Sequence, residues 1–142
     1  MRLAAGIILA SASLALCACE FLGYNSDKDL PELAQGVEIQ TLNAAELSEL
    51  LDTGSVRLID VRSDAEVAEG VIPGAEHIPI DTFDPSKLDF SDGRTVIPYC
   101  HSGGRSERAA RMLAAHTQQS VRHLEGEIVA WRNAQLPLAT AE

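Results

Sequence analysis

The run Tyr99-Cys100-His101-Ser102-Gly103-Gly104-Arg105-Ser106 sets a single cysteine between an apolar stretch and a pair of glycines, with a cation and a hydroxyl beyond them. A thiolate is the strongest nucleophile such a run can offer, yet an ordinary thiol is only a few per cent ionised at pH 7. Two glycines permit a sharp turn with positive φ, so successive backbone N–H groups can converge on one point above the sulfur. A helix starting behind the loop adds the positive end of its dipole. Both effects favour the thiolate, and the pattern predicts an exposed nucleophile, or a covalent carrier, at Cys100. Arg105 stands in the first turn of that helix, a poor place for a cation unless an anion is near. The anion is either a ligand or a carboxylate of the body. Arg105, Arg108 and Arg111 recur at helical spacing and would form a local positive patch.

No rival chemistry has the spacing it needs. His77, His101, His116 and His123 lack metal-ligand spacing and read as surface or packing residues, so no metal is expected. No G-x-S-x-G elbow is present, which leaves Ser102 as a loop donor and Ser106 as a helix cap. Trp131 reads as core. The formal net charge of −10 excludes a basic stripe for nucleic acid. An anionic substrate would meet opposing local and global fields, so added salt should change activity only mildly.

The elements that must position Cys100 alternate along the chain. Val37–Thr41 reads as a strand; Asn43 with Glu46 forms a capping-box pattern ahead of Leu47, Leu50 and Leu51 on one helical face. Val56–Val61 is a mostly apolar strand, as expected where both faces are covered. Ser63 with Glu66 opens a short helix ending at Gly70, and His77–Ile80 is a brief strand whose Pro79 suggests an edge. A short helix starts at Pro85, and a fourth strand, Thr95–Tyr99, runs into Cys100. Pro98 is awkward there, because a central strand needs its N–H groups. Ala109, Ala110, Leu113 and Ala114 share one face of a helix from Ser106 to about Gln118. Val121–Leu124 and Ile128–Ala134 complete an α/β pattern around a largely parallel sheet.

Residues 1–18 read as a secretory signal peptide, with Arg2 ahead of an uncharged run from Leu3 to Cys19. Leu16-Cys17-Ala18-Cys19 resembles a bacterial lipobox, which implies lipidation of Cys19 after cleavage and membrane anchoring through more than one acyl chain. Simple secretion after cleavage near Ala18 is the alternative. Residues 19–36 then form a tether, with a domain over 37–140 on the periplasmic side of the cell envelope. Cys17 and Cys19 lie in the leader, so the body has no disulfide framework.

The body resembles the rhodanese-like sulfurtransferases, specifically the single-domain periplasmic or lipid-anchored members. Leu58-Ile59-Asp60-Val61-Arg62, the turn from Gly70 to Pro79, the loop Cys100–Ser106, and Leu124-Glu125-Gly126 with Ala130-Trp131 and Leu136-Pro137 carry the likeness. The resemblance implies a five-stranded parallel sheet flanked by helices on both faces, and a Cys100 that takes a sulfane sulfur from a donor such as thiosulfate. It implies a persulfide cradled by the loop amides of His101, Ser102, Gly103, Gly104 and Arg105, then attacked by cyanide or a thiol. It implies no metal or organic cofactor. Asp60 and Arg62 look like the family's ion pair beneath the loop, a structural support together with Ser106. Two departures stand out: Val71 replaces the usual His, and Glu127 replaces a second Gly after Gly126, both outside the loop and read as matters of local packing. Related phosphatases enclose five residues between Cys and Arg, whereas Cys100 and Arg105 enclose four, a ring suited to one sulfur atom. A non-catalytic persulfide carrier or envelope interaction module is the alternative of a different class.

Overall fold

In the computed structural model, which describes residues 30–140, strand and helix alternate in the order the sequence pattern requires. The elements are β1 Ile39–Leu42, α1 Ala44–Asp52, β2 Val56–Asp60, α2 Asp64–Val67, β3 Glu76–His77, a 3₁₀ turn Pro85–Lys87, β4 Thr95–Tyr99, α3 Gly104–Thr117, β5 Val121–Leu124 and α4 Glu127–Asn133. The leader with Cys17 and Cys19 lies outside the described residues, as does the first part of the tether. No helix among the described residues is long and apolar enough to cross a membrane.

Local chemistry fixes several boundaries. Asn43 Oδ1 accepts from the Glu46 N–H at 3.0 Å, and the Glu46 carboxylate accepts from the Asn43 N–H at 2.8 Å, the reciprocal cap that starts α1. The third strand is shorter than the His77–Ile80 expected. Pro79 has no N–H, although Ile78 and Ile80 still donate to the carbonyls of Asp60 and Val61.

All pairings between the five strands are parallel; outside them, Val71 and Ala139 form one isolated antiparallel bridge. β1 lies against β5 from Ile39↔Val121 to Leu42↔Leu124, and β2 is flanked by β3, with Asp60↔His77, and by β4, with Asp60↔Tyr99. β4 and β5 run side by side, but hydrogen bonding divides the five strands into a pair and a trio. Pro98 gives the physical reason. The Val61 N–H donates to the Tyr99 carbonyl, so Tyr99 faces β2 and the adjacent Pro98 faces β5, where it has no N–H to offer. The five-stranded parallel architecture stands, with one seam in its ladder.

Both faces of the sheet are covered. Val56 and Leu58 of β2 join Leu47, Ile97, Tyr99, Ile128 and Trp131 on the side of α1 and α4. Ile59 and Val61 join Val96, Cys100, Ala109, Ala110 and Leu113 on the side of α3. Burial on both faces is why β2 reads as nearly continuous apolar sequence. Each fully buried Val, Leu or Ile contributes about 1.5–3 kcal/mol, so these layers are the main stabilising term. β2 and β4 end next to each other at Asp60 and Tyr99. The chain therefore delivers Cys100 to the carboxyl edge of the sheet, where open α/β folds bind ligands.

Candidate active site

The residues before the cysteine rest on a buried polar floor. Asp60 and Arg62 are both fully buried, and the guanidinium Nε and Nη2 donate to the carboxylate at 2.9 and 2.6 Å. The remaining donors reach the carbonyls of Glu66 and Gly70 at 3.0 and 2.8 Å. The Tyr99 hydroxyl donates to Asp60 at 2.6 Å and accepts from the Ile72 N–H at 3.1 Å. Burial, with the Asp60 charge behind it, pushes the Tyr99 phenol well above its ordinary range, so it remains a donor. Such full pairing is the condition under which buried charges are tolerated. The network joins β2, α2 and the Gly70 turn to the residue preceding Cys100; it orients the loop without reaching the sulfur.

Cys100 itself has no exposed surface, which differs from the exposed thiol expected. Its Sγ accepts from the Gly103 N–H at 3.2 Å, and Gly103 holds φ at 107°, a conformation L side chains rarely adopt. One loop amide, rather than a ring of them, reaches the sulfur. His101 and Ser102 are exposed, and among the described residues neither side chain has a hydrogen-bond partner. Gly104 begins α3, and Gly103 is its N-cap. Ser106 is therefore not the cap expected but a buried residue of the first turn.

Arg105 closes the loop on a carboxylate of the body. Its two terminal nitrogens each donate to Glu66 at 2.7 Å, a bidentate pair. Glu66 also accepts from the N–H and hydroxyl of Ser63 at 3.1 and 2.7 Å. The Arg105 guanidinium, then Ser63, hold the Glu66 carboxyl well below the usual carboxylate range against the opposing effect of burial. Glu66 in turn raises Arg105, with a smaller contribution from the nearby Cys100. Arg111 pairs with Glu107 at 3.1 Å, so of the expected positive patch only Arg108 lacks a partner among the described residues.

Two residues assigned to packing from the sequence lie under the cysteine instead. Glu127 Oε2 accepts the Cys100 N–H at 2.5 Å, while its Oε1 accepts the Ser106 hydroxyl and lies 3.2 Å from His123 Nδ1. Ser106 Oγ also lies 3.0 Å from His123 Nδ1. The Ile128 N–H donates to the Cys100 carbonyl at 3.2 Å, so consecutive residues of α4 hold both backbone polar groups of the cysteine. Gly126 makes this approach possible, since a Cβ there would come within 2.8 Å of Ala130 Cβ. The charged residue after Gly126 was the available signal; its reach to Cys100 was not visible in the sequence.

Known proteins share this frame. Residues 43–134 match the family model described as a rhodanese-like domain. A sulfurtransferase of Allochromatium vinosum is 34% identical over 105 residues, which cover 73% of this chain and 98% of that protein. The crystal structure of a rhodanese-like domain protein from Staphylococcus aureus aligns with a TM-score of 0.58 and 30% identity, over 72% of this chain and 99% of that one. A rhodanese-related protein from Thermoplasma volcanium gives a TM-score of 0.61 at 25% identity, over 70% and 97% of the two chains.

Proposed function

Because the chain belongs to the rhodanese-like domain family, we propose that it moves a sulfane sulfur from thiosulfate or a persulfide donor to cyanide or a thiol, through a persulfide on Cys100. The observation that carries this reading is the cysteine at the carboxyl edge of the sheet, with its sulfur held by the Gly103 N–H and its backbone fixed by α4. In the first half, the Cys100 thiolate attacks the outer sulfur of thiosulfate; the S–S bond of the donor breaks, sulfite leaves with the electron pair, and Cys100 carries S–S⁻. In the second half, cyanide attacks the outer sulfur, thiocyanate departs, and the thiolate is restored. With a thiol acceptor, the thiolate of the acceptor attacks and leaves as its own persulfide.

Arg105 and Glu66 keep the far end of the loop in place during both halves, while Asp60, Arg62 and Tyr99 hold the near end. Four residues between Cys100 and Arg105, with Arg105 turned to Glu66, favour sulfur over phosphate. The complete burial of Cys100 favours a second reading, a persulfide carrier loaded and unloaded by a partner protein that opens the loop. The leader supports placement on the periplasmic side of the envelope, anchored through lipid on Cys19.

The test is intact mass of the soluble domain before and after thiosulfate, then after cyanide, with Cys100→Ser alongside. A gain of one sulfur that cyanide removes as thiocyanate, absent in the Ser variant, is the expected result. Loading from a persulfide without repeated turnover to cyanide or a thiol would favour the carrier, and no loading from either donor would overturn sulfur transfer.

A further inference from the structure

Among the described residues, Glu127 is the one fully buried carboxylate in the site that no guanidinium or ammonium faces. Its partners are the Cys100 N–H, the Ser106 hydroxyl and the His123 imidazole. By contrast, buried Asp60 has Arg62, and Glu66 has Arg105. Glu127 also holds φ at 57°, a left-handed conformation that a glycine would take without strain. Burial without a cation and a strained backbone are both costs that a glycine at this position would avoid.

The protons around it can be counted. Ser106 Oγ lies within hydrogen-bond distance of both the Gly103 carbonyl, at 2.9 Å, and Glu127 Oε1, and the carboxylate oxygen is the stronger acceptor for its single proton. The N–H of Cys100 goes to Oε2, and an Nδ1–H on His123 would serve Ser106 Oγ and Oε1 together. The carboxylate is thus met by three donors and holds the backbone N–H of the residue that carries the reacting sulfur. A fixed negative charge there acts on each donor in proportion to the charge that donor brings.

We propose that Glu127 is a positioning and specificity-determining residue, which clamps the Cys100 backbone from below and sets a buried negative charge under the loop that disfavours dianionic donors relative to persulfides, which carry at most one charge and react as the neutral R–S–SH. The proposal rests on the sulfur-transfer reading above. With thiosulfate, the thiolate, the donor and Glu127 bring like charges together. With a neutral persulfide R–S–SH, the Cys100 thiolate attacks the outer sulfur, the donor S–S bond breaks, Cys100 becomes S–SH, and R–S⁻ leaves with the electron pair. No additional charge enters the loop in that case.

The experiment compares single-turnover sulfur uptake by Cys100, read by intact mass, from thiosulfate and from the persulfide of 2-mercaptoethanol, in wild type, Glu127→Gln and Glu127→Gly. Glu127→Gln keeps the shape and an acceptor oxygen but removes the charge. It should raise the thiosulfate rate relative to the persulfide rate on the order of tenfold, as expected for loss of one unit charge a few ångströms away in a partly desolvated site. Glu127→Gly, compatible with the backbone conformation, should shift the ratio the same way while slowing both donors, because the clamp on the Cys100 N–H is gone. It also decides the matter if the Gln variant fails to fold. A ratio unchanged within twofold, in a folded variant that still takes up sulfur, would overturn the proposal and leave Glu127 a structural residue. Absence of uptake by wild type from both donors would remove sulfur transfer itself, and this inference with it.

Discussion

The two ends of the active-site loop are held by glutamates of opposite character. On the α2 side, half-exposed Glu66 takes the Arg105 guanidinium in a bidentate grip, above the fully buried Asp60–Arg62 pair. On the α4 side, Glu127 is completely buried and holds Cys100 through a backbone amide, a hydroxyl and an imidazole, without a cationic side chain such as Arg or Lys. The first arrangement cancels charge and fixes geometry. The second fixes geometry with no guanidinium to answer the carboxylate. A carboxylate can therefore serve as a brace or as a source of field depending on what answers it, and this loop uses one of each.

That contrast can be broken from either side. Arg62→Met should have the largest effect, a loss of about 3–5 kcal/mol in denaturant unfolding, because it leaves Asp60 buried without its cation. A loss under 1 kcal/mol would show that the α2 floor does not depend on charge pairing. Glu127→Gly should cost less, about 1–2 kcal/mol: lost hydrogen bonds are offset in part by relief of the left-handed backbone. Equal losses for the two variants would erase the distinction drawn between the two sides. Glu66→Gln should be the mildest, at most about 1 kcal/mol near neutral pH, since the pair with Arg105 is screened by solvent.

The Glu66 effect also carries a pH signature. Its carboxyl is depressed in the folded state, chiefly by Arg105, so its contribution is complete above the ordinary carboxylate value of 4.5 and is lost as pH falls from there toward the depressed value. The difference in Tm between wild type and Glu66→Gln should be constant above that point and shrink below it. A difference that grows on acidification would assign the depression to something other than the Arg105 pair.

Much of this frame is legible in residue order. The capping pattern of Asn43 and Glu46, the apolar run of β2 and the helical face of Ala109, Ala110, Leu113 and Ala114 are local periodicities, and the structure places each as its period requires. Cys100 is legible because a strand, a cysteine and a Gly-Gly turn are contiguous. What was not legible depends on contact across distance in sequence. Glu66 declares itself as a partner of Ser63, three residues away, but nothing local announces Arg105. Pro98 warns of a defect, yet only the direction of the Tyr99 carbonyl shows that the defect falls on the β5 side. Glu127 reads as local packing and His123 as a surface or packing residue until α4 folds back beneath β4.

The pairing of β1 with β5 also governs when the fold can form. Ile39–Leu42 and Val121–Leu124 lie near opposite ends of the described chain, and β1 has no other ladder among the described residues. Closing so long a loop before any contact repays it makes such pairing slow, and a strand waiting for its partner is an open edge for other chains. During synthesis, β1 leaves the ribosome early and has nothing to pair with until β5 follows. Truncation anywhere within α3 should therefore yield aggregation rather than a smaller folded unit. Most of the described residues must be present before β1 has a place.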